Sequence, residues 1–362
     1  MSDEYDKLRI LRLVPSIGPT SAAYNQFTLP LADKQSITLC VYFRPRISVP
    51  GSIKLFSGDN SLPGFFSALG KALRSGTFDV IHTHSPHVAF LSMFYPQATF
   101  GPTLHTVHSS YPHYKPRNRL MLFPVIASFR KVVFCSNASQ MSFPRLLTRL
   151  LNSRGAIIQN GVDLDRIDRV ISEAPKSTDN LEPTIIVVGR LIELKNPLSA
   201  LRAFHASGVH SNMRLVFIGE GPLRNELAVE CRQLGLDDRV TFTGLIPRNE
   251  VFRHMAQARF FVSASSIEGL PIAVMEAMAC RCPVILSDIQ PHREIANGAN
   301  FIPLFKHDDL DRLAWLMHTF SCLTLTEKHT TGNSCRELVT ERFSLARTHQ
   351  QYEALYREIA GS

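Results

Sequence analysis

The chain has 362 residues, of which 44% are hydrophobic and 19% charged, and its formal net charge is +8. This length favours two domains with ordinary apolar cores. A membrane span and a secretory signal are not expected, because no run of about 18 apolar residues occurs and the first residues are charged.

Alternating strands and helices are predicted in the first half of the chain. Strands are expected in six apolar segments: Leu8–Val14, Ile37–Phe43, Val80–His82, Thr103–Val107, Lys131–Cys135 and Ala156–Gln159. Helices are expected between them, as at Pro63–Arg74 and Ala138–Leu151. Such alternation is typical of a parallel sheet covered by helices.

The alternation restarts after a polar linker at about Ser172–Glu182. Five more strands are predicted: Thr184–Val188, Arg214–Ile218, Val240–Thr243, Arg259–Ser263 and Val284–Leu286. The fold class is therefore α/β, with two Rossmann-like, doubly wound parallel-sheet domains. Ligands of such sheets bind at the carboxyl ends of the strands. Five small residues follow predicted strands there: Gly18, Gly189, Gly219, Gly244 and Ser265.

Two glutamates bracket the segment E-G-L-P-I-A-V-M-E, which runs from Glu268 to Glu276. A helix is predicted over Ile272–Cys280, with Pro271 at its first position, where a missing N–H costs nothing. The N–H groups of a first helical turn favour a phosphate or an oxyanion. Glu268 would stand beside that place, and Glu276 could accept from a hydroxyl. A capped amphipathic helix with one surface glutamate and one half-buried glutamate is the alternative.

A second segment, V-V-G-R-L-I-E-L-K-N-P, follows the first strand of the second half. Gly189 permits a close backbone approach, and Arg190 and Lys195 are suited to phosphate oxygens. Two solvated cations at the end of a strand are the alternative for this segment alone. The two segments together indicate a site for a sugar diphosphate.

These motifs resemble those of the retaining glycosyltransferases of family 4 (glycosyl transferases group 1), which have the glycosyltransferase-B fold. The resemblance covers almost the whole chain and is strongest over about Pro183–Ile295. It includes F-I-G-E-G-P-L, V-T-F-T-G, A-R-F-F-V-S and the N-G-V-D that begins at Asn160. The N-terminal half is a weaker match, through D-V-I-H-T-H and T-V-H.

The resemblance implies an acceptor-side domain over residues 1–170 and a nucleotide-sugar domain over 171–344, facing a central cleft. The final helix, 345–362, would pack back on the first domain. It also implies transfer of a sugar from a nucleotide-diphosphate sugar, by default a UDP-sugar, with retention of configuration. The acceptor would be a saccharide or a lipid-linked saccharide of cell-surface polysaccharide or glycoconjugate biosynthesis.

Site roles also come from the resemblance. Glu276 would bind the ribose hydroxyls and Glu268 the transferred sugar, while Arg190 and Lys195 would stabilise the leaving diphosphate. The catalytic candidates are His108, Glu268, Arg190 and Lys195. The donor-binding candidates are Gly18, Gly189, Arg190, Lys195, Gly219, Ile246, Glu268, Gly269, Leu270, Pro271 and Glu276. No metal or other cofactor is expected, because cations and helix N–H groups would face the diphosphate.

Three histidines lie at strand ends of the N-terminal half. His108 is the best candidate there, since the resembled family often has a histidine near the transferred sugar. His82 is predicted to be structural, and His84 is the weaker site candidate. The first loop, Ser16–Ala23, departs from the family, because it has one glycine where two adjacent ones are usual. Gly18 can still approach a ligand closely.

The excess positive charge lies in the first half of the chain. Residues 1–175 have 19 Lys and Arg against 10 Asp and Glu, whereas residues 176–362 have 20 against 21. The densest basic segments, Tyr111–Pro124 and Phe143–Arg154, mix cations with apolar residues. Such a surface can contact anionic lipid headgroups, which predicts a cytoplasmic protein at the inner face of the membrane. An ordinary basic surface is the alternative, and no nucleic-acid motif is present.

The cysteines and the Asp163-Leu164-Asp165 spacing have structural interpretations. Seven scattered cysteines are expected to be free thiols. Cys280 and Cys282 lack a second pair or a nearby histidine that would complete a zinc site. Asp163 and Asp165 are interpreted as helix-capping residues rather than metal ligands.

Two other functions remain possible from the sequence alone. One is a different enzyme on the same fold, such as a nucleotide-sugar epimerase. The other is a non-catalytic protein that binds a nucleotide sugar. Release of a nucleoside diphosphate in the presence of an acceptor would distinguish the enzyme from the binder.

Overall fold

The computed structural model describes residues 7–18, 21–45, 47–173 and 182–361. It contains two compact units, Met1–Gln159 with Ala346–Ser362 and Asn160–Leu345. The expected boundary at residue 170 therefore moves to Gln159, because the helix Leu164–Ser172 packs in the second unit against the helix Arg248–Gln257. Most of the expected linker, and Pro19 and Thr20 of the first loop, lie outside the described residues.

The first unit is built on a parallel sheet that has seven strands among the described residues, in the order β3-β2-β1-β4-β5-β6-β7. The strands are β1 Arg9–Val14, β2 Ser36–Val41, β3 Lys54–Ser57, β4 Val80–Thr83, β5 Thr103–Val107, β6 Lys131–Phe134 and β7 Gly155–Ile157. The helices that connect them are α1 Ala22–Asn25, α2 Leu62–Arg74, α3 Pro86–Ser92, α4 Pro96–Phe100, α5 Pro116–Ser128, α6 Asn137–Met141 and α7 Arg145–Leu151. Helix α2 shows how local sequence sets a start, since the Ser61 side chain accepts from the N–H of Gly64.

The second unit is built on a six-stranded parallel sheet, counted over the described residues, in the order β10-β9-β8-β11-β12-β13. The strands are β8 Thr184–Val188, β9 Arg214–Ile218, β10 Val240–Gly244, β11 Phe260–Ser263, β12 Val284–Ser287 and β13 Leu304–Phe305. The helices are α8 Leu164–Ser172, α9 Pro197–Ala206, α10 Arg224–Gln233, α11 Arg248–Gln257, α12 Ile272–Ala279, α13 Gln290–Ala296, α14 Leu310–Ser321 and α15 Leu325–Arg342. Phe204 and Leu316 pack on Leu215 and Phe217, so α9 and α14 cover one face of this sheet.

The last helix, α16 Leu345–Ala360, belongs to the first unit from Ala346 onward. Tyr352, Leu355, Tyr356 and Ile359 are buried and pack on the apolar residues of the central strands, such as Ile10. These residues recur three and four apart, which places them on one face of the helix. The final helix thus packs on the first unit, as expected, and its buried face completes the core of that unit.

The fold class is confirmed as α/β with two parallel sheets. One predicted helix was wrong: Ala138–Leu151 is two helices, α6 and α7, because Pro144 lacks the N–H that a continuous helix needs. Strands β3 and β13 were missed, since both are short edge strands without a long apolar segment. Within the described residues, none of the helices is long and apolar enough to cross a membrane.

Candidate active site

Backbone hydrogen bonds join the residue after β8 to the end of β9, and the residue after β9 to the end of β10. The N–H of Gly189 donates to Ile218, and that of Gly219 donates to Gly244, each at 3.0 Å. Gly219 has a φ of +139°, and an added Cβ would come within 2.0 Å of the Gly189 carbonyl oxygen. Only glycine is tolerated at that position. The hydrogen bonds and this close approach confirm that Gly189, Gly219 and Gly244 lie together at the carboxyl edge of the sheet in the second unit.

Lys195 and Glu268 form an ion pair beside these loops. Lys195 ends a short 3-10 turn after β8, and Cδ and Cε of its side chain lie next to Gly189. The Ser265 hydroxyl also donates to the Glu268 carboxylate, at 2.8 Å. Burial raises the pKa of Glu268, but the Lys195 charge and these hydrogen bonds outweigh it, so the pKa lies below its ordinary value. Glu268 is therefore ionised at neutral pH and acts as an acceptor.

Glu276 lies in the interior of the second unit and pairs with Arg248 at the start of α11. One of its carboxylate oxygens, Oε2, has no hydrogen-bond partner among the described residues. Burial raises the pKa of Glu276 above its ordinary value, and the nearby Arg248 and Arg166 charges only partly oppose this rise. A buried carboxylate oxygen without a donor is costly, so this oxygen is poised to accept from a ligand.

The turn E-G-L-P leads directly into α12. Ile272 is the first residue of the helix, as predicted, and Pro271 occupies the N-cap position just before it rather than the first helical position. The amide of Asn160 donates to the Leu270 carbonyl at 3.3 Å and holds the turn. The sequence indicated Asn160 only as part of the N-G-V-D motif, without this contact.

Several residues that the sequence did not single out support the carboxylates. Arg248 pairs with Glu276, and His292 is fully buried near Glu268. The Nδ1–H of His292 donates to the Ser287 carbonyl at 2.7 Å, which leaves Nε2 as the acceptor, 3.3 Å from the Ser263 hydroxyl. No local motif marks Arg248 or His292, because each reaches its partner from a separate helix.

The remaining donor-site candidates of the second unit vary in position. Arg190 is exposed and, among the ion pairs of the described residues, takes part in none. Ile246 is half-buried in the loop between β10 and α11. Gly269 lies in the turn before α12. Their proposed roles remain predictions.

In the first unit, histidines in and just after β4 and just after β5 are close together. His84 Nδ1 lies 3.0 Å from His108 Nε2, and His82 is bonded to the Thr106 and Tyr356 hydroxyls at 2.8 Å. The structural role predicted for His82 is therefore confirmed. Gly18 lies in the loop after β1, and an added Cβ there would meet none of the described residues within 4 Å.

The capping interpretation of Asp163 is confirmed, since its side chain accepts from the N–H of Arg166 at 3.0 Å. All seven cysteines lie in the described part of the chain and are free thiols, as predicted. Groups of three or more His, Cys, Asp or Glu side chains that could hold a metal ion are absent from the described residues.

The sequence matches two family models. The model described as Glycosyltransferase Family 4 covers residues 30–166, and the model described as Glycosyl transferases group 1 covers residues 170–320. The chain therefore belongs to the family 4 glycosyltransferases, as its motifs predicted.

Individual proteins agree with this assignment. The chain is 22% identical over 350 residues to the UDP-Gal:alpha-D-GlcNAc-diphosphoundecaprenol alpha-1,3-galactosyltransferase of Escherichia coli, covering 91% of this chain and 87% of that protein. It is 33% identical over 132 residues to the N-acetylgalactosamine-N,N'-diacetylbacillosaminyl-diphospho-undecaprenol 4-alpha-N-acetylgalactosaminyltransferase of Campylobacter jejuni. That second match spans 36% of this chain and only 34% of the relative's own length.

A solved structure is similar over the whole fold. The HepE protein of Anabaena, in complex with UDP and glucose, has a TM-score of 0.78 at 18% identity. The match covers 96% of this chain and 98% of that one. The fold of this chain is therefore the GT-B fold of glycosyltransferases.

We predict that Arg248→Met lowers the free energy of unfolding by about 1–3 kcal/mol, because it leaves the buried Glu276 carboxylate without its donor. Urea denaturation measures the change. Arg253→Met on the same helix is the matched control, since the partner of Arg253, Glu250, is 46% exposed and such surface pairs contribute about 0–1 kcal/mol. Equal effects of the two substitutions would contradict the role given to Arg248.

Proposed function

We propose that this chain transfers a sugar from a nucleotide-diphosphate sugar to a saccharide or lipid-linked saccharide, with retention of the anomeric configuration. The observation that carries the proposal is the buried Glu276, whose Oε2 has no hydrogen-bond partner within the described residues. The vicinal hydroxyls of a ribose are donors that would satisfy this oxygen. A nucleotide would thereby gain affinity from a polar group that is costly to leave unpaired.

The diphosphate would lie at the glycine loops and the start of α12. Lys195 is bound to Glu268 in this structure, and Arg190 is exposed. Negative charge grows on the β-phosphate as the bond to the anomeric carbon breaks. Both cations and the first-turn N–H groups of α12 would stabilise that charge. No metal or other cofactor is needed in this scheme.

Glu268 and His108 would contact the transferred sugar. Glu268 has a lowered pKa and would accept a hydrogen bond from a sugar hydroxyl. It is not assigned as a nucleophile: the acceptor would attack from the face that the diphosphate leaves, and a diphosphate oxygen would take the acceptor's proton. The anomeric configuration is then kept without a separate general base.

Similar proteins support a UDP-sugar as the donor. The Anabaena protein was solved with UDP and glucose, and the Escherichia coli relative is named for UDP-Gal. Both named relatives act on a sugar linked to diphosphoundecaprenol, according to their names. We therefore propose a lipid-linked acceptor for this chain and a role in polysaccharide or glycoconjugate biosynthesis.

Lys195→Ala and Arg190→Ala should each lower the turnover of sugar transfer by about 10²–10³-fold, the usual loss when one oxyanion donor is removed. A thermal-shift panel of UDP- and GDP-sugars first selects the donor, and release of the nucleoside diphosphate then measures transfer. Lys306→Ala, an exposed lysine of the same unit, is the control and should leave turnover unchanged. Near-normal turnover in folded Lys195→Ala would contradict the assignment, and donor binding without diphosphate release would favour the non-catalytic alternative.

Transfer should also persist in excess EDTA, because protein cations and helix N–H groups replace a metal ion at the diphosphate. The same release assay, with and without the chelator, measures this. Complete loss of turnover that magnesium or manganese restores would overturn the metal-independent scheme.

A membrane surface is proposed on two packed helices of the first unit, α5 and α7. Leu120 and Phe123 of α5 and Leu146 of α7 are 76%, 47% and 64% exposed. Arg117 and Arg145 are exposed on the same helices. The sequence between Asp79 and Asp163 contains no Asp or Glu, so anionic lipids would meet no repulsion from this segment. We propose a cytoplasmic enzyme bound at the inner face of the membrane.

One arginine predicted for that surface has another role. Arg119 donates to the carbonyls of Tyr114 and Pro112, each at 2.8 Å, and its guanidinium lies over the Tyr111 ring. It stabilises the loop before α5, so the proposed surface relies on Arg117, Arg145 and Arg149.

Vesicles test this surface. The protein should sediment with phosphatidylglycerol vesicles at low salt and be released at high salt, since the screening length falls from about 10 Å at about 0.1 M to about 3 Å at about 1 M. Leu120→Ser with Phe123→Ser should weaken binding, whereas the control Leu325→Ser, at a 70% exposed leucine of the second unit, should not. A protein that ignores anionic vesicles at low salt would favour a soluble acceptor.

A further inference from the structure

A fully buried arginine lies among histidines and tyrosines in the first unit. Arg12 of β1 has no exposed surface, and no carboxylate pairs with it in the described part of the chain. Its guanidinium instead lies near ring nitrogens of His82 and His84 and the Tyr356 hydroxyl, at 3.5, 3.4 and 3.2 Å. An uncompensated buried cation is costly, which calls for a function that offsets the cost.

Strand register explains why these side chains meet. Arg12 of β1 is aligned with His82 of β4, and His82 is aligned with Leu104 of β5. Side chains two residues apart point to the same face of a sheet. His84 therefore lies beyond His82, and His108 extends the same face past the end of β5. Tyr352 and Tyr356 of α16 pack on this face.

The arginine fixes the proton positions of two histidines in series. A guanidinium has only donors, so Nε2 of His84, 3.4 Å from Nη1 of Arg12, must accept. A neutral His84 then carries its proton on Nδ1, which lies 3.0 Å from Nε2 of His108. His84 donates across that distance and His108 accepts. The proton of a neutral His108 is consequently on Nδ1.

A second branch from Arg12 leads away from His108. Nη2 of Arg12 donates to the Tyr356 hydroxyl, which in turn can donate to His82 Nδ1 at 2.8 Å. His82 then donates from Nε2 to the Thr106 hydroxyl, also at 2.8 Å. Thr106 ends the branch at the buried Tyr352 hydroxyl, at 2.9 Å. This branch orders the core beneath α16 and does not reach His108.

The first branch runs from Arg12 through His84 to His108, and both of its histidine rings are held neutral and in place. Burial lowers the pKa of His108 to about 4. Burial also holds the pKa of His84 well below its ordinary value, and the neighbouring His82, His108 and Arg12 lower it further. The Phe27 ring stacks on His84 with centroids 5.8 Å apart and an angle of 28° between the planes. The ring of His84 therefore cannot turn freely to exchange its two nitrogens.

We propose that Arg12 is a positioning residue that sets the proton of His108 through His84, so that His108 serves as a neutral hydrogen-bond donor from Nδ1. This inference rests on the proposed function, in which His108 contacts the transferred sugar. His108 would then donate to an oxygen of a sugar hydroxyl, and it would not act as a general base. Its Nε2, the only ring nitrogen that can accept when the ring is neutral, already accepts a hydrogen bond from His84.

Nitrogen-15 NMR of the histidine rings in the ligand-free protein tests the proposal directly. Wild-type His84 and His108 should both be neutral at pH 7, with the proton on Nδ1. Arg12→Met removes the donor at similar volume, and His108 should then populate the Nε2–H form. Arg12→Lys keeps a donor and should keep the wild-type tautomer. Tyr356→Phe interrupts only the second branch, so His108 should be unchanged.

Two results would overturn the proposal. One is a wild-type His108 with its proton on Nε2. The other is an Arg12→Met variant in which His84 and His108 keep the wild-type proton positions. If Arg12→Met fails to fold, the wild-type spectrum and a His84→Leu variant decide, because His84→Leu must also release the tautomer of His108. The spectra need no nucleotide sugar. Absence of transfer from every nucleotide sugar would therefore contradict the proposed function, while the ring spectra still decide the role of Arg12.

Discussion

The second unit depends on a close approach of backbone at one edge of its sheet. Gly189 and Gly219 follow β8 and β9, and Gly244 ends β10; the N–H of Gly189 donates to Ile218 and that of Gly219 donates to Gly244. Any side chain at Gly219 would collide with the Gly189 carbonyl. Because these loops occupy so little space, the side chains of Lys195 and Glu268 can meet beside them. The candidate site thus lies where three parallel strands end side by side, with a glycine at or just after each carboxyl end.

The two glutamates of the E-G-L-P-I-A-V-M-E segment have opposite environments. Glu268 is kept ionised by Lys195 and Ser265, whereas burial raises the pKa of Glu276 despite its pairing with Arg248. Oε2 of Glu276 has no hydrogen-bond partner among the described residues, and under the proposed function Glu268 would exchange partners when the diphosphate attracts Lys195. In this account the ribose of a nucleotide sugar donates to Glu276, and its diphosphate draws Lys195 away from Glu268. Donor binding would therefore also place the cation that stabilises the leaving group.

Much of the fold could be predicted from the sequence, because buried parallel strands are continuous apolar segments. Strands β5, β8 and β9 were predicted to the residue. The edge strands β3 and β13 are only four and two residues long and so contain no long apolar segment. The helix expected over Ala138–Leu151 was wrong because helical periodicity continues across Pro144 while the backbone does not.

Residues of the candidate site could be named from the sequence where chemistry and spacing coincide in one segment. Lys195, Glu268 and Glu276 could be named in advance, since each lies in a short motif. Arg248 and Asn160 could not be given their contacts, because they reach Glu276 and Leu270 from distant parts of the chain. The same limit hid Arg12, whose importance depends on strand register and on a helix more than 300 residues later.

The central claim is that the free oxygen of Glu276 accepts from the ribose of a nucleotide. Calorimetric titration tests it most directly, with UDP and GDP compared against their 2′,3′-dideoxy analogues in the wild type and in Glu276→Ala. The account predicts that the wild type prefers the complete ribose of its nucleotide by about tenfold or more, since a hydrogen bond to a charged group contributes about 1.5–3 kcal/mol. Glu276→Ala should lose most of that preference. A wild type that binds neither nucleotide, or a preference that survives in Glu276→Ala, would contradict the account.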